Sequence, residues 1–247
     1  MSRLNFTMSW DDGSPYDLRL ADLLLKYNLA STFYIPKNNI EGIPVVTSKE
    51  LTELSKHFEI GAHTIDHVRL NNLSHEEITS QIQQSKEWLE YEIGSPIYGF
   101  CYPGGGYNDY CIDAVKKAGF FYSRTVENFS NNIPNLYEMP TTLQIFNHKN
   151  YILLSNIIKF KNSFVKFSNY HSVLSSNKLI NRLEYILEYS INEGFSYLHF
   201  WGHSWEIERY DLWDLLEDFF KLLRDHSHAL SFKTNYECAL QFSDKTS

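Results

Sequence analysis

Leu4-Asn5-Phe6-Thr7-Met8-Ser9-Trp10-Asp11-Asp12-Gly13 alternates apolar with polar residues and then stops on two carboxylates and a glycine. Alternation with a period of two describes a strand, and the Asp-Asp-Gly that follows delivers two acids into a loop at its carboxyl end. Residues 15–27 continue helically from a Ser14-Pro15 start, with Leu18, Leu20, Ala21, Leu23, Leu24 and Leu25 as the apolar set, and residues 30–35 (ASTFYI) read as a second strand. The result is a β-α-β unit.

The same alternation continues outward from it. Helices are expected at 48–56, 74–93 and 108–118, and strands at 59–62, 97–102 and 120–125. Ser74 and Glu77 have the spacing of a capping box, Gly94 closes that helix, and Gly119 stops the next. Between 128 and 176 the signals thin to a strand around 137–139, irregular connections and a short helix at 151–159. Order returns with a helix at 177–193, a strand at 196–201, a helix at 212–225 and a last strand at 229–232. Helices alternating with strands imply a parallel sheet, and about seven units suggest a closed or nearly closed barrel, although periodicity alone leaves a doubly wound sheet open. In either architecture functional residues belong at the strands' carboxyl ends, in a single domain over 1–247 whose motifs fall within about 4–232.

A chain of 247 residues with 43% hydrophobic and 21% charged residues can bury one full core. The aromatic share of 16% is high, which suits a sugar-lined cleft or simply a core. A formal charge of −8 without any Lys/Arg cluster argues against nucleic acid as a partner. Three cysteines, Cys101, Cys111 and Cys238, suggest neither a disulfide framework nor a cysteine zinc site. No apolar run reaches membrane-spanning length and no signal-like segment precedes Asp11, so the expectation is a soluble, cytoplasmic protein with no membrane span.

Adjacent Asp11 and Asp12 point in different directions, so one can ligate a cation while the other takes a proton from water. His63-Thr64-Ile65-Asp66-His67 places two imidazoles four residues apart, on one face if the segment is a helical turn. Two histidines and a carboxylate make a zinc-type site with positions left open. Tyr102-Pro103-Gly104-Gly105-Gly106 ends another strand in a glycine loop whose amides can approach a substrate oxygen, as a tetrahedral oxyanion requires. Near the end, His203 stands just past an aromatic strand as a general acid for a leaving amine, Trp201 and Trp205 are a candidate sugar-stacking wall, and His199 is packing or support.

In this order the motifs resemble those of the NodB-type polysaccharide deacetylases, carbohydrate esterase family 4, over about residues 8–232. The resemblance implies an irregular (β/α)7 barrel, Asp11 as catalytic base, Asp12, His63 and His67 as metal ligands, His203 as acid and the Gly104 amide as oxyanion donor. The family's third motif carries an arginine that pairs with the catalytic aspartate, and Cys101 stands there instead. Arg124, at the end of the following strand, is the candidate replacement. The family's segment of acid and tryptophan that supports the acid histidine is not identified.

The reading that follows is a metal-dependent N-deacetylase of an N-acetylamino sugar, such as a nucleotide-linked or lipid-linked surface-glycan precursor or an oligosaccharide. The divalent metal is expected to be Zn2+, with Co2+, Ni2+ or Mn2+ as alternatives. A deformylase or other linear or cyclic amide hydrolase on the same fold is the second reading, and a non-catalytic carbohydrate-binding protein the third. Oligomeric state is not indicated.

Overall fold

The first strand, β1 (Leu4–Asp11), is buried at all eight positions because it has neighbours on both edges and layers on both faces. β7 (Tyr197–Gly202) runs parallel along one edge, from Asn5 opposite Tyr197 to Trp10 opposite Gly202. The other edge is divided: β8 (Leu230–Lys233) pairs with Leu4 to Thr7, and β2 (Thr32–Ile35) with Ser9 to Asp11. From β2 the parallel sheet continues through β3 (Glu59–Ala62) and β4 (Gly99–Cys101) to β5 (Tyr122–Arg124), and from β7 to β6 (Leu143–Gln144).

The structure is a computed structural model that describes residues 3–159 and 178–244. Helices α1 (Asp17–Lys26), α2 (Ser48–Ser55), α3 (His75–Ile93), α4 (Asp109–Lys117), α5 (Asn150–Lys159), α6 (Leu179–Asn192), α7 (Ser204–Arg209), α8 (Trp213–Asp225) and α9 (Asn235–Ser243) intervene between the strands or follow them. This is the curled parallel sheet expected of an irregular (β/α)7 barrel, with an eighth strand sharing the edge of β1. β5 and β6 do not pair directly. Met139 bridges to Arg124, and the Thr142 amide donates to His199 O, so the 139–142 segment spans the gap.

The alternation in β1 sorts the interior into two layers. Leu4, Phe6, Met8 and Trp10 face the main apolar core under the helices. Thr7, Ser9 and Asp11 face a more polar interior, where His199 contacts Thr7 Oγ1 at 2.6 Å and Ser9 Oγ at 2.9 Å. Burial holds that imidazole neutral. His199 is thus a packed, supporting residue, as its place on the strand implied.

One local expectation changes, and the structure adds detail at two others. Residues 137–139 are not a strand: Leu136–Glu138 is a 3-10 turn, in which the Asn135 side chain accepts from the Tyr137 amide and Pro140 withholds the donor a ladder needs. The strand lies later, at Leu143–Gln144. Helix α9 follows the motif-bearing part of the chain; its Thr234 and Glu237 form a capping box, and its Tyr236 amide donates to the Glu59 carboxylate at 2.9 Å. The start of the helix expected at 177–193 lies outside the described residues, which show it as Leu179–Asn192.

Candidate active site

Every polar motif lands at the carboxyl ends of the strands. Asp11 is the last residue of β1, and the chain then turns sharply through Asp12 (φ +79°) and Gly13 (φ +62°). A side chain at 13 would come within 2.7 Å of Ile35, so the turn requires glycine on both conformational and steric grounds. The turn aims the two carboxylates apart, and both are almost wholly buried.

His63 follows β3 directly. Its Nδ1 lies 2.9 Å from Cys101 O, so N–H at Nδ1 donates to that carbonyl and Nε2 keeps its lone pair. Burial holds this imidazole neutral, with a pKa lowered to about 4. His67 arrives differently from the helical turn expected. Residues 63–67 form a loop with Thr64 (φ +60°) and His67 (φ +56°) in the left-handed region, pinned where Thr64 Oγ1 accepts from the Val68 amide and Ile65 N–H donates to Gln81 O. The loop nonetheless brings the rings to 5.0 Å between centroids.

Asp12 Oδ1 is buried and lies 2.9 Å from His67 Nε2 and 3.6 Å from His63 Nε2. One ligand atom from each of Asp12, His63 and His67 lies within 4.8 Å of the others. A buried carboxylate oxygen facing two imidazole nitrogens is an arrangement a divalent cation can complete, and the donor set fits zinc. Trp205 Nε1–H donates to the other oxygen, Asp12 Oδ2, at 2.8 Å, fixing the carboxylate's orientation. Burial opposes ionisation of Asp12, but the His67, His203 and His63 rings outweigh it and hold the carboxyl below the ordinary range.

Asp11 is held from two sides. Arg124 donates from Nη2 to Asp11 Oδ1, and Cys101 Sγ lies 3.8 Å from Oδ2. The Arg124 side chain has no exposed surface; its guanidinium stacks between the Tyr34 and Trp201 rings, 5.1 and 5.0 Å away. In the β4–β5 register Cys101 lies opposite Arg124, so the arginine occupies the adjacent strand at the same level of the barrel.

His203 follows β7, with Nδ1 2.6 Å from Glu206 Oε2 and Nε2 3.8 Å from Asp12 Oδ2. Burial works against its charge, but the Glu206 hydrogen bond and the fields of Asp12, Glu206 and Asp11 raise the pKa to about 9. Glu206 is held by Gln144 Nε2 at 2.9 Å, and Gln144 Oε1 meets His148 at 2.8 Å. Sequence reasoning missed Glu206 and Gln144. The available signal was His203-Ser204-Trp205-Glu206, an i,i+3 pair at a helix start.

Pro103, Gly104, Trp201 and Trp205 line the same cleft as Asp11, Asp12 and His203, a cavity of about 170 Å³. Tyr102 does not line it. Its hydroxyl pairs with Ser123 Oγ at 2.8 Å and donates to Tyr137 O, and its amide donates to Arg124 O, so both polar ends serve the sheet rather than a ligand.

Such a barrel, with a candidate carboxylate–histidine cation site between a guanidinium-paired aspartate and a carboxylate-paired histidine, has the fold of the NodB-like α/β barrels. Residues 4–123, just under half of the chain, match the family described as polysaccharide deacetylase. A peptidoglycan-N-acetylglucosamine deacetylase of Bacillus cereus is 29% identical over 143 residues, 57% of this chain and 64% of the relative. A Wigglesworthia glossinidia brevipalpis protein, described as a candidate 4-deoxy-4-formamido-L-arabinose-phosphoundecaprenol deformylase, is 27% identical over 192 residues, 69% of this chain and 66% of the relative. The chain thus spans under two thirds of the length of these curated relatives. In fold it resembles a solved Mycobacterium smegmatis protein described as a candidate polysaccharide deacetylase, with TM-score 0.70, 12% identity, and coverage of 99% of this chain and 92% of that one. Among the described residues no helix is long and apolar enough to cross a membrane.

Proposed function

We propose that this protein is a metal-dependent N-deacetylase of an N-acetylamino sugar. The observation that carries the reading is the convergence of Asp12, His63 and His67 in one cleft, flanked by Asp11 with its arginine and His203 with its glutamate. A divalent ion held by Asp12, His63 and His67, zinc by its donor set, would supply Lewis acidity toward the acyl oxygen and a more acidic water.

The chain's own groups do the rest. Asp11, kept oriented by Arg124, accepts the proton of the attacking water as the new C–O bond forms. The Gly104 amide in the glycine loop donates to the oxyanion. His203, kept protonated by Glu206, gives its proton to the nitrogen as the C–N bond breaks, leaving acetate and a free amine. Trp201 and Trp205 offer flat apolar faces to the sugar ring. The substrate we favour is a nucleotide-linked or lipid-linked glycan precursor, or an oligosaccharide, in the cytoplasm; all three cysteines are free and buried, which suits a reducing compartment.

The test is acetate release by zinc-reconstituted protein from a panel of nucleotide-linked and oligomeric N-acetylamino sugars, with Asp11→Asn and His63→Ala as controls. Release abolished in both variants supports the reading, and no release from any member of the panel by metal-loaded protein overturns it. The relative described as a formamido-arabinose deformylase favours one second reading, formyl transfer to water at the same site, for which formate release is the assay.

A further inference from the structure

The chain carries 30 acidic against 22 basic residues, and the cleft's buried acids already have partners: Asp11 has Arg124, and Asp12 has His67. One more cation lines that cleft. Arg69, in the loop that follows the histidine pair, is solvent-exposed and makes no hydrogen bond or ion pair among the described residues, not even with Glu41, the other charged residue of the rim.

Its position is built by the glycine loop. A Cβ on Gly104 would stand 2.6 Å from Arg69 Nε and 3.2 Å from its Cζ, and one on Gly106 would stand 3.4 Å from Arg69 Cβ. The guanidinium therefore lies close against Gly104, in a space that a side chain at 104 would fill, and the absence of one at 106 leaves room for the base of the Arg69 side chain. Gly104 (φ +57°) is doubly constrained, by conformation and by this close approach. An unpaired arginine fork that lines the candidate cleft and is open to solvent is suited to a planar or tetrahedral oxyanion.

Resting on the deacetylase reading above, we propose that Arg69 selects substrates whose amino sugar bears an anionic substituent, a phosphate or a carboxylate, close to the acylated nitrogen. Because the guanidinium sits at the exposed rim and not among the buried catalytic groups, it reads a group beyond the reacting amide. Glu41 on the same rim disfavours anions placed toward it and thereby orients the substituent toward Arg69.

The experiment compares zinc-reconstituted wild type with Arg69→Ala and Arg69→Lys on N-acetylglucosamine 1-phosphate, N-acetylmuramic acid and the neutral methyl N-acetylglucosaminide. Charge-assisted hydrogen bonds predict a preference of about tenfold in kcat/KM for an anionic sugar in wild type, lost in the alanine variant and partly kept in the lysine variant. Phosphate ahead of carboxylate, or the reverse, identifies the group. An anionic-to-neutral ratio equal in wild type and Arg69→Ala overturns the proposal. If no sugar is turned over, the deacetylase reading fails, and calorimetric binding to the Asp11→Asn protein decides on Arg69 by itself: tighter binding of the phosphate sugar, lost on adding Arg69→Ala, supports the role, and equal binding of phosphate and neutral sugars overturns it.

Discussion

Arg124 and Asp11 form a fully buried ion pair across the barrel interior, from the ends of β5 and β1, strands four places apart in the sheet. The arginine stands one strand over from Cys101, where the family pattern carries its own. Cys101 and Arg124 lie opposite each other on adjacent parallel strands, so whether either position can serve Asp11 is open to test.

Removing Arg124 leaves a buried carboxylate without its partner. Arg124→Ala is expected to abolish turnover and to destabilise the fold by about 3–5 kcal/mol, read from urea midpoints. Cys101→Arg added to Arg124→Ala should recover part of both losses. A double variant no better than Arg124→Ala would show that register alone does not make the two positions equivalent.

The Glu206–His203 pair sets a pH limit. The folded pKa of about 9 lies above the unfolded value near 6.5, so the acid form persists through neutral pH and turnover should fall only as pH rises toward about 9. The same sign governs stability: the pair's contribution is full below about pH 6.5 and is lost as pH climbs through the folded value. An unperturbed histidine would place that limb between pH 5 and 8. Glu206→Gln should move the limb downward by removing the carboxylate, and an unmoved limb in a pH–rate profile would dissociate Glu206 from the acid role. A cation beside Asp12 offsets that residue's field and shifts the limb the same way.

Metal should stabilise the fold independently of activity. At a free zinc concentration one hundred times the Kd, linkage gives about 2.7 kcal/mol, or roughly 5–10 °C in Tm for a domain of this size. Chelation should remove that increment from the wild type, and His63→Ala should show none. A zinc-induced shift persisting in His63→Ala would place the ion elsewhere.

Asp17, in the first turn of α1, has no exposed surface; one oxygen accepts from Ser204 Oγ at 2.5 Å and the other has no partner. Burial raises its pKa well above 3.8, and Asp12 and Asp11 add to the rise. A raised carboxyl pKa means the folded state holds a proton the unfolded state has released, so stability falls as pH rises above about 4. Asp17→Asn should remove that fall, gaining on wild type in urea midpoint from pH 5 to pH 8. A constant difference across that range would mean Asp17 titrates normally.

The strands that frame the cleft were legible because their period-two pattern and terminal Asp-Asp-Gly, His and Pro-Gly signals are local. What escaped is set by tertiary partners. Residues 63–67 look helical by spacing, yet the left-handed Thr64 and His67 are imposed by backbone contacts with residues 37, 38 and 81. Glu206 sits on a six-residue helix too short to announce itself, and Gln144 on a two-residue strand. Tyr102 was assigned to the cleft with its motif, but alternation turns its side chain under the sheet, where Ser123 was waiting. α9 had no place in the repeating pattern because it serves the interior behind the sheet.

The divided edge of β1 bears on how the chain is made. Leu4 pairs with Leu230 and Asn5 with Tyr197, so the barrel's first strand, apart from Ser9–Asp11 beside β2, finds its partners only after most of this domain has been made. Long-range parallel pairing of this kind closes late and folds slowly, and until then the β7 side of β1 and the stretch that β8 covers stay unpaired. During synthesis this strand is therefore the segment most in need of a holding chaperone, and slowed translation upstream of β7 would lengthen its exposure.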